Sequence, residues 1–168
     1  MLQYARTALI RACNAGHTST ARALIEANAK VEAKDSYDGA TPLMCASCNG
    51  HLATVKYLVE ECGANVEAKT INGDTPVLIA SMYGHLATVQ YLLEECGANV
   101  EAKRNDKRTA LVMAQEHGKS DVEKYLVSKG PTGQLSDAAV NGDTAKAIKL
   151  IEQQGADMGW HNPDDVSE

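Results

Sequence analysis

The sequence repeats itself every 34 residues. Thr7, Thr41, Thr75 and Thr109 fall in register, as do Ala12, Ala46, Ala80 and Ala114, and Gly16, Gly50, Gly84 and Gly118. A fixed period of this size marks an array of small units, each unable to bury its apolar face alone and stabilised by stacking on its neighbours. The array predicts an extended surface for gripping another molecule. It predicts no chemistry.

The two middle copies, residues 37–69 and 71–103, agree at 23 of 33 positions. Each opens on a turn dipeptide, Asp38-Gly39 or Asn72-Gly73, of the kind that closes a tight hairpin because both residues tolerate positive φ. Thr41-Pro42 or Thr75-Pro76 follows, placing an N-cap residue before the one helical position where proline's missing N–H costs nothing. A short helix over 43–49 ends at Gly50, the residue type suited to a left-handed stop. A second helix over 52–62 carries Leu52, Val55, Leu58 and Val59 at helical spacing and stops at Gly63. Ala64-Asn65-Val66-Glu67-Ala68 then leads to the next turn.

Hairpin, helix, tight turn and helix, with T-P-x-x-x-A-x-x-x-G-H-L-A-T-V-x-Y-L occurring twice, resembles the ankyrin repeat, and with weaker flanks the resemblance covers residues 3–158. It implies an all-α repeat solenoid: helix-turn-helix units with short β-hairpin fingers, stacked in a curve. It also implies a protein-binding scaffold rather than an enzyme. The expected organisation is one domain over 1–158, with units at 1–36, 37–70, 71–104, 105–130 and 134–158, followed by an acidic tail over 159–168.

The outer copies depart from the pattern. Residues 4–9 replace the usual turn and T-P-L start, so the first hairpin is expected to be absent or truncated. The segment at Asn28 is one residue short, a deficit made up at Ser36. Lys107 stands where Gly39 and Gly73 stand in the other fingers, so that turn is expected to be strained or of another type. The fifth unit has Gly142 only 24 residues after Gly118, lacks a finger, and carries polar residues such as Asp137 and Lys146. It reads as a capping helix pair, the alternative being the start of a second array.

Residues that hold across copies serve the stack, and those that vary are free to select a partner. In the ankyrin family the finger tips and the ends of the first helices line the concave face. Carried over by position, the finger stripe is Tyr37, Asp38 and Ala40, then Ile71, Asn72 and Asp74, then Asn105, Asp106 and Arg108. The helix stripe is Cys48 and Asn49, Met82 and Tyr83, Glu116 and His117. Tyr37, Ile71, Met82 and Tyr83 read as anchors, since aromatic and Met side chains carry most interface energy. Asp38, Asp74 and Arg108 read as polar selectors, and the acidic fingers at Asp38, Asp74 and Asp106 favour a partner with basic contact residues. Tyr57, Tyr91 and Tyr125 form a second ladder, read as packing with the hydroxyls in water.

Other signals have structural explanations. Cys45 and Cys48 make a C-x₂-C, but a zinc site usually needs four ligands, and in register they replace Ile79 and Met82. His17, His51 and His85 recur at one position, which suits a stacking device better than a catalytic base. Glu60-Glu61 and Glu94-Glu95 read as a solvated helix face. Both Thr-Pro threonines are expected to be engaged as caps. The His common after T-P-L in the family is Met44 or Leu78 here, and an Asn that the family often hydroxylates is Glu32, Glu67 or Glu101. Neither a catalytic residue, a metal site nor a cofactor motif is expected.

With 168 residues, net charge −6 and pI about 5.4, the chain is a poor candidate for nucleic acid, which requires phosphate neutralisation. No apolar run approaches bilayer length, and residues 1–20 lack a signal-peptide pattern. Five cysteines without a compact framework fit a reducing compartment, so the expected location is cytoplasmic. The reading is a monomeric interaction module that binds a protein or peptide. The alternatives are end-to-end self-association through Leu2, Leu9 and Ile10, or a regulatory fragment of a larger ankyrin-containing protein.

Overall fold

The computed structural model describes residues 2–130 and 148–149, and the fifth unit over 134–158 and the tail over 159–168 lie essentially outside the described residues. The helices among them are α1 (Leu2–Asn14), α2 (Thr18–Glu26), α3 (Pro42–Cys48), α4 (Leu52–Lys56), α5 (Pro76–Tyr83), α6 (Leu86–Glu94), α7 (Ala110–Glu116) and α8 (Ser120–Lys129). The chain divides into two compact units, Met1–Lys124 and Tyr125–Glu168. In the second, Ser128 Oγ donates to the Tyr125 carbonyl at 2.6 Å, and the Lys129 ammonium lies 5.5 Å from the Tyr125 ring centroid.

In the first unit the odd-numbered helices α1, α3, α5 and α7 stack in order, with α2, α4 and α6 behind them. The stack is held by residues recurring at the period. Leu9, Leu43, Leu58, Leu78 and Leu92 are all fully buried, each worth about 1.5–3 kcal/mol of transfer free energy. Ala46, Ala80 and Ala114 have no exposed surface, as expected where inner helices approach most closely. Leu9 is therefore a core residue and offers no apolar end for self-association, contrary to the sequence expectation.

The helix starts follow the Thr-Pro signal, with one correction. Thr41 Oγ1 accepts the Met44 N–H at 3.4 Å, and the Thr41 N–H points at Met44 Sδ at 3.4 Å, so a thioether completes the reciprocal cap. Thr109 Oγ1 accepts from the Val112 N–H at 3.5 Å. Thr75 has the same extended backbone but makes no cap, and its Oγ1 is buried without a partner. Leu78, three residues on, has no acceptor with which to return the contact.

The irregular copies keep the backbone of the regular ones. Asn28 (φ 66°) adopts the left-handed conformation of Gly63 (φ 65°), so the short first unit still turns at the same point. The extra residue of the second unit is absorbed in the helix: Tyr57–Glu61 continues α4 as a π-turn, the usual form of a one-residue insertion. In the third unit the Cys96 N–H reaches back five residues to the Tyr91 carbonyl at 3.2 Å. Lys107 (φ 70°) keeps the left-handed conformation of Gly39 and Gly73, so its turn is of the same type and strained.

The expected β-hairpins do not form strands among the described residues. Each finger is a turn whose ends are joined by a bond from the opening residue: Asp35 N–H to Ala40 O at 3.0 Å, Thr70 N–H to Asp74 O at 3.1 Å, and Arg104 N–H to Arg108 O at 3.0 Å. In the second and third, Gly73 N–H also donates to Thr70 O at 3.0 Å and Lys107 N–H to Arg104 O at 2.9 Å. Bonds confined to the turn make too short a ladder for a strand. Neighbouring fingers are tied tip to tip, Ile71 N–H to Asp38 O at 2.9 Å and Asn105 N–H to Asn72 O at 3.0 Å.

Three further contacts recur between units. His51 Nε2 meets the Asn14 carbonyl at 3.0 Å and His85 Nε2 meets that of Cys48 at 2.8 Å. Each imidazole covers the helix-ending glycine of the unit before: a Cβ on Gly16 would come within 2.6 Å of the His51 ring, and Gly50 faces His85 in the same way. Glu32 and Glu67, at the position of the family's Asn, accept the N–H groups of Asn65 and Asn99 at 2.8 Å.

The third contact corrects the reading of the tyrosine ladder and the glutamate face. Arg22 lies 4.3 Å from the Tyr57 ring and forks onto Glu61 at 2.7 and 2.9 Å, and Lys56 lies 5.2 Å from the Tyr91 ring. The Tyr91 hydroxyl donates to Glu60 Oε1 at 2.9 Å rather than facing water. Burial first, then a hydrogen bond with Cys62, pushes the Tyr57 phenol up to about 12.

Candidate protein-binding surface

The fingers stand beside the ends of α3 and α5, and a groove of about 210 Å³ opens between them. The first finger contributes Asp35, Tyr37, Asp38 and Ala40 to its lining, and the second Thr70 and Asp74. The helices contribute Met44, Cys45, Cys48, Ile79, Met82 and Tyr83, with Asn14 at the end of α1. Seven of the sequence-selected residues thus meet around one cavity: Tyr37, Asp38, Ala40, Cys48, Asp74, Met82 and Tyr83.

Their exposures differ. Tyr37 is 91% exposed, Ile71 68% and Tyr83 49%, so all three present large apolar surface to solvent. Met82, Cys48 and Asp38 are half-buried. Ala40 is 8% exposed and packed with Met44, Ala68 and Ile79, so it is part of the groove's floor rather than a projecting contact. Burial raises the Cys48 pKa. Burial also pushes Cys13 and Cys45 up to about 12, so these thiols stay protonated near neutrality.

Of the remaining selected residues, Asp106, Arg108 and Glu116 are engaged with one another at the third finger. Arg108 donates to Asp106 Oδ2 at 2.7 and 3.0 Å and to Glu116 Oε2 at 2.7 Å. Arg104 lies 3.3 Å from Asp74 Oδ1 and 3.7 Å from Asp106 Oδ2. Asn105 Nδ2 donates to the Ile71 carbonyl at 2.9 Å, His117 Nδ1 meets the Met113 carbonyl at 2.9 Å, and Asn49 Nδ2 donates to Asn14 Oδ1 at 3.0 Å. Asn72 is exposed at the second tip.

Of the three acidic finger residues Asp38, Asp74 and Asp106, two are therefore already paired. Asp74 and Asp106 face arginines of this chain, and the Asp106 carboxyl is held low, mainly by its hydrogen bond to Arg108. The first finger differs. Asp35 Oδ1 accepts the N–H groups of Tyr37, Asp38 and Gly39 at 3.0–3.1 Å, and Asp38 Oδ1 accepts that of Ala40 at 3.0 Å. None of the ion pairs among the described residues involves either carboxylate.

Asp35 and Arg104 were missed by sequence reasoning, which took only the finger tips. Both occupy the finger's opening position, Asp35, Thr70 and Arg104 in successive units, and variation there was a usable signal. Among the described residues no group of three or more His, Cys, Asp or Glu side chains could hold a metal ion, and no helix is long and apolar enough to cross a membrane.

Paired helices stacked at a fixed period, with turn fingers tied edge to edge, define an all-α repeat protein. A family model described as ankyrin repeats in three copies matches residues 2–70 and 62–137. The chain belongs to the ankyrin repeat family, whose members generally mediate protein–protein interaction and are typically non-enzymatic scaffolds. Comparison with curated protein sequences yields no match.

Proposed function

We propose that this chain is a non-catalytic interaction module that binds a protein or peptide through the groove between its fingers and inner helices. The observation that supports this reading most is the grouping of exposed Tyr37 and Tyr83 with half-buried Met82 around one cavity bordered by polar finger residues, with Ile71 exposed on the second finger. An apolar-aromatic centre with a polar rim is the anatomy of an interface. A monomer working in the reducing cytoplasm accords with the five free thiols.

Affinity capture from cell lysate tests the face. Wild type is set beside an Ile71→Ala, Met82→Ala, Tyr83→Ala variant shown to be folded by circular dichroism. Proteins held by wild type and lost by the variant support the reading. Equal capture by both moves the binding surface elsewhere.

A further inference from the structure

The finger carboxylates follow a pattern that breaks at one place. Asp74 and Asp106 each face a guanidinium from the third finger, Arg104 or Arg108. At the equivalent positions the first finger carries Asp35 and Ala40, so it has two carboxylates and supplies no arginine. The two are held close, Asp35 Oδ1 accepting the Asp38 N–H at 3.0 Å, and both line the groove. Burial works against ionisation of both; three backbone donors hold Asp35 low, whereas Asp38, beside it, is raised. Two carboxylates this close are short of a cation.

The adjoining space limits what that cation can be. A groove of about 210 Å³ is smaller than the roughly 300–1,000 Å³ of small-molecule pockets and suits one inserted side chain. Tyr37 and Tyr83 supply aromatic faces, and Met82 adds an adaptable apolar wall. Guanidinium is planar, donates along a fork to paired carboxylate oxygens, and stacks on aromatic rings, none of which an ammonium does as well.

We propose that the groove binds a peptide by taking up one of its arginine side chains, with the guanidinium on Asp35 and Asp38 and the stem against Tyr37, Met82 and Tyr83. This rests on the groove being the binding face. The partner's arginine supplies the first finger with what Arg104 and Arg108 supply to the other two, and the chain's net charge of −6 favours the encounter.

The test is selection from a displayed random dodecapeptide library on wild type. Each recovered peptide is then measured by fluorescence anisotropy against Asp35→Asn/Asp38→Asn and Ile71→Ala/Met82→Ala/Tyr83→Ala. Asparagine keeps the oxygen that accepts the finger's backbone N–H groups, so the first variant removes charge and leaves the turn intact. Expected are peptides sharing an arginine whose change to citrulline weakens wild-type binding at least about tenfold, while the asparagine variant binds the parent peptide equally weakly. Peptides that need the apolar anchors but carry no arginine, or prefer lysine, or bind the asparagine variant as tightly, overturn the inference and leave the face standing. Peptides indifferent to the apolar variant, or an empty selection, overturn both.

Discussion

Thr41 and Thr75 occupy the same position in adjacent units, yet the structure assigns them opposite energetic roles. Both are buried at the start of an inner helix, with φ and ψ in the extended region where valine is equally comfortable. Thr41 Oγ1 caps the Met44 N–H, and losing such a cap costs about 1 kcal/mol. Thr75 Oγ1 has no partner, and an orphaned buried hydroxyl costs about 1–3 kcal/mol, which valine removes at constant shape. Thr41→Val is therefore expected to lower stability by about 1 kcal/mol, and Thr75→Val to raise it by at least about as much. At this chain length each kcal/mol moves Tm by about 2–4 °C, in opposite directions for the two variants. Thermal unfolding followed by far-ultraviolet circular dichroism reads the shift directly. A Thr75→Val variant that melts below wild type, as Thr41→Val does, refutes the reasoning: the hydroxyl then has a partner.

Two further outcomes follow from the same geometry. Lys107→Gly relieves a left-handed backbone worth about 1 kcal/mol, less what glycine gains in the unfolded chain, and raises the urea midpoint; a Gly73→Ala control, already at φ 83° and facing the Asn105 backbone, lowers it. In alkylation by iodoacetamide at pH 8, Cys13 and Cys45 stay unlabelled in the native protein and react fully in denaturant, because burial keeps both thiols protonated. Peptide mass mapping that finds them labelled at the rate of an exposed thiol contradicts that account.

The ankyrin architecture was legible in the sequence because the period repeats four times over: Thr starts, Ala contacts and Gly stops each recur in register, and local chemistry alone places the helices. The candidate groove was half legible. Comparing copies picked out Tyr37, Ile71, Met82 and Tyr83, since residues that differ between equivalent positions are less tied to the shared stack, but the same comparison also picked Ala40, which is packed into the groove's floor. It could not tell a free carboxylate from a satisfied one. Asp38, Asp74 and Asp106 look alike in sequence; Arg108 pairs with Asp106 within one finger, but only the folded stack brings Arg104 onto Asp74, and among the described residues no ion pair involves Asp35 or Asp38.

The same division holds for the connections between units. The recurrence of His51, His85, Glu32 and Glu67 marked them as structural, but their partners lie 32–37 residues away in the chain. Local propensity fixes where a helix starts and stops, because those forces act within a turn of backbone. Which buried hydroxyl finds a donor, which ring lies under an arginine and which carboxylate stays open are decided by distances across unit boundaries. Those distances exist only once the stack has formed.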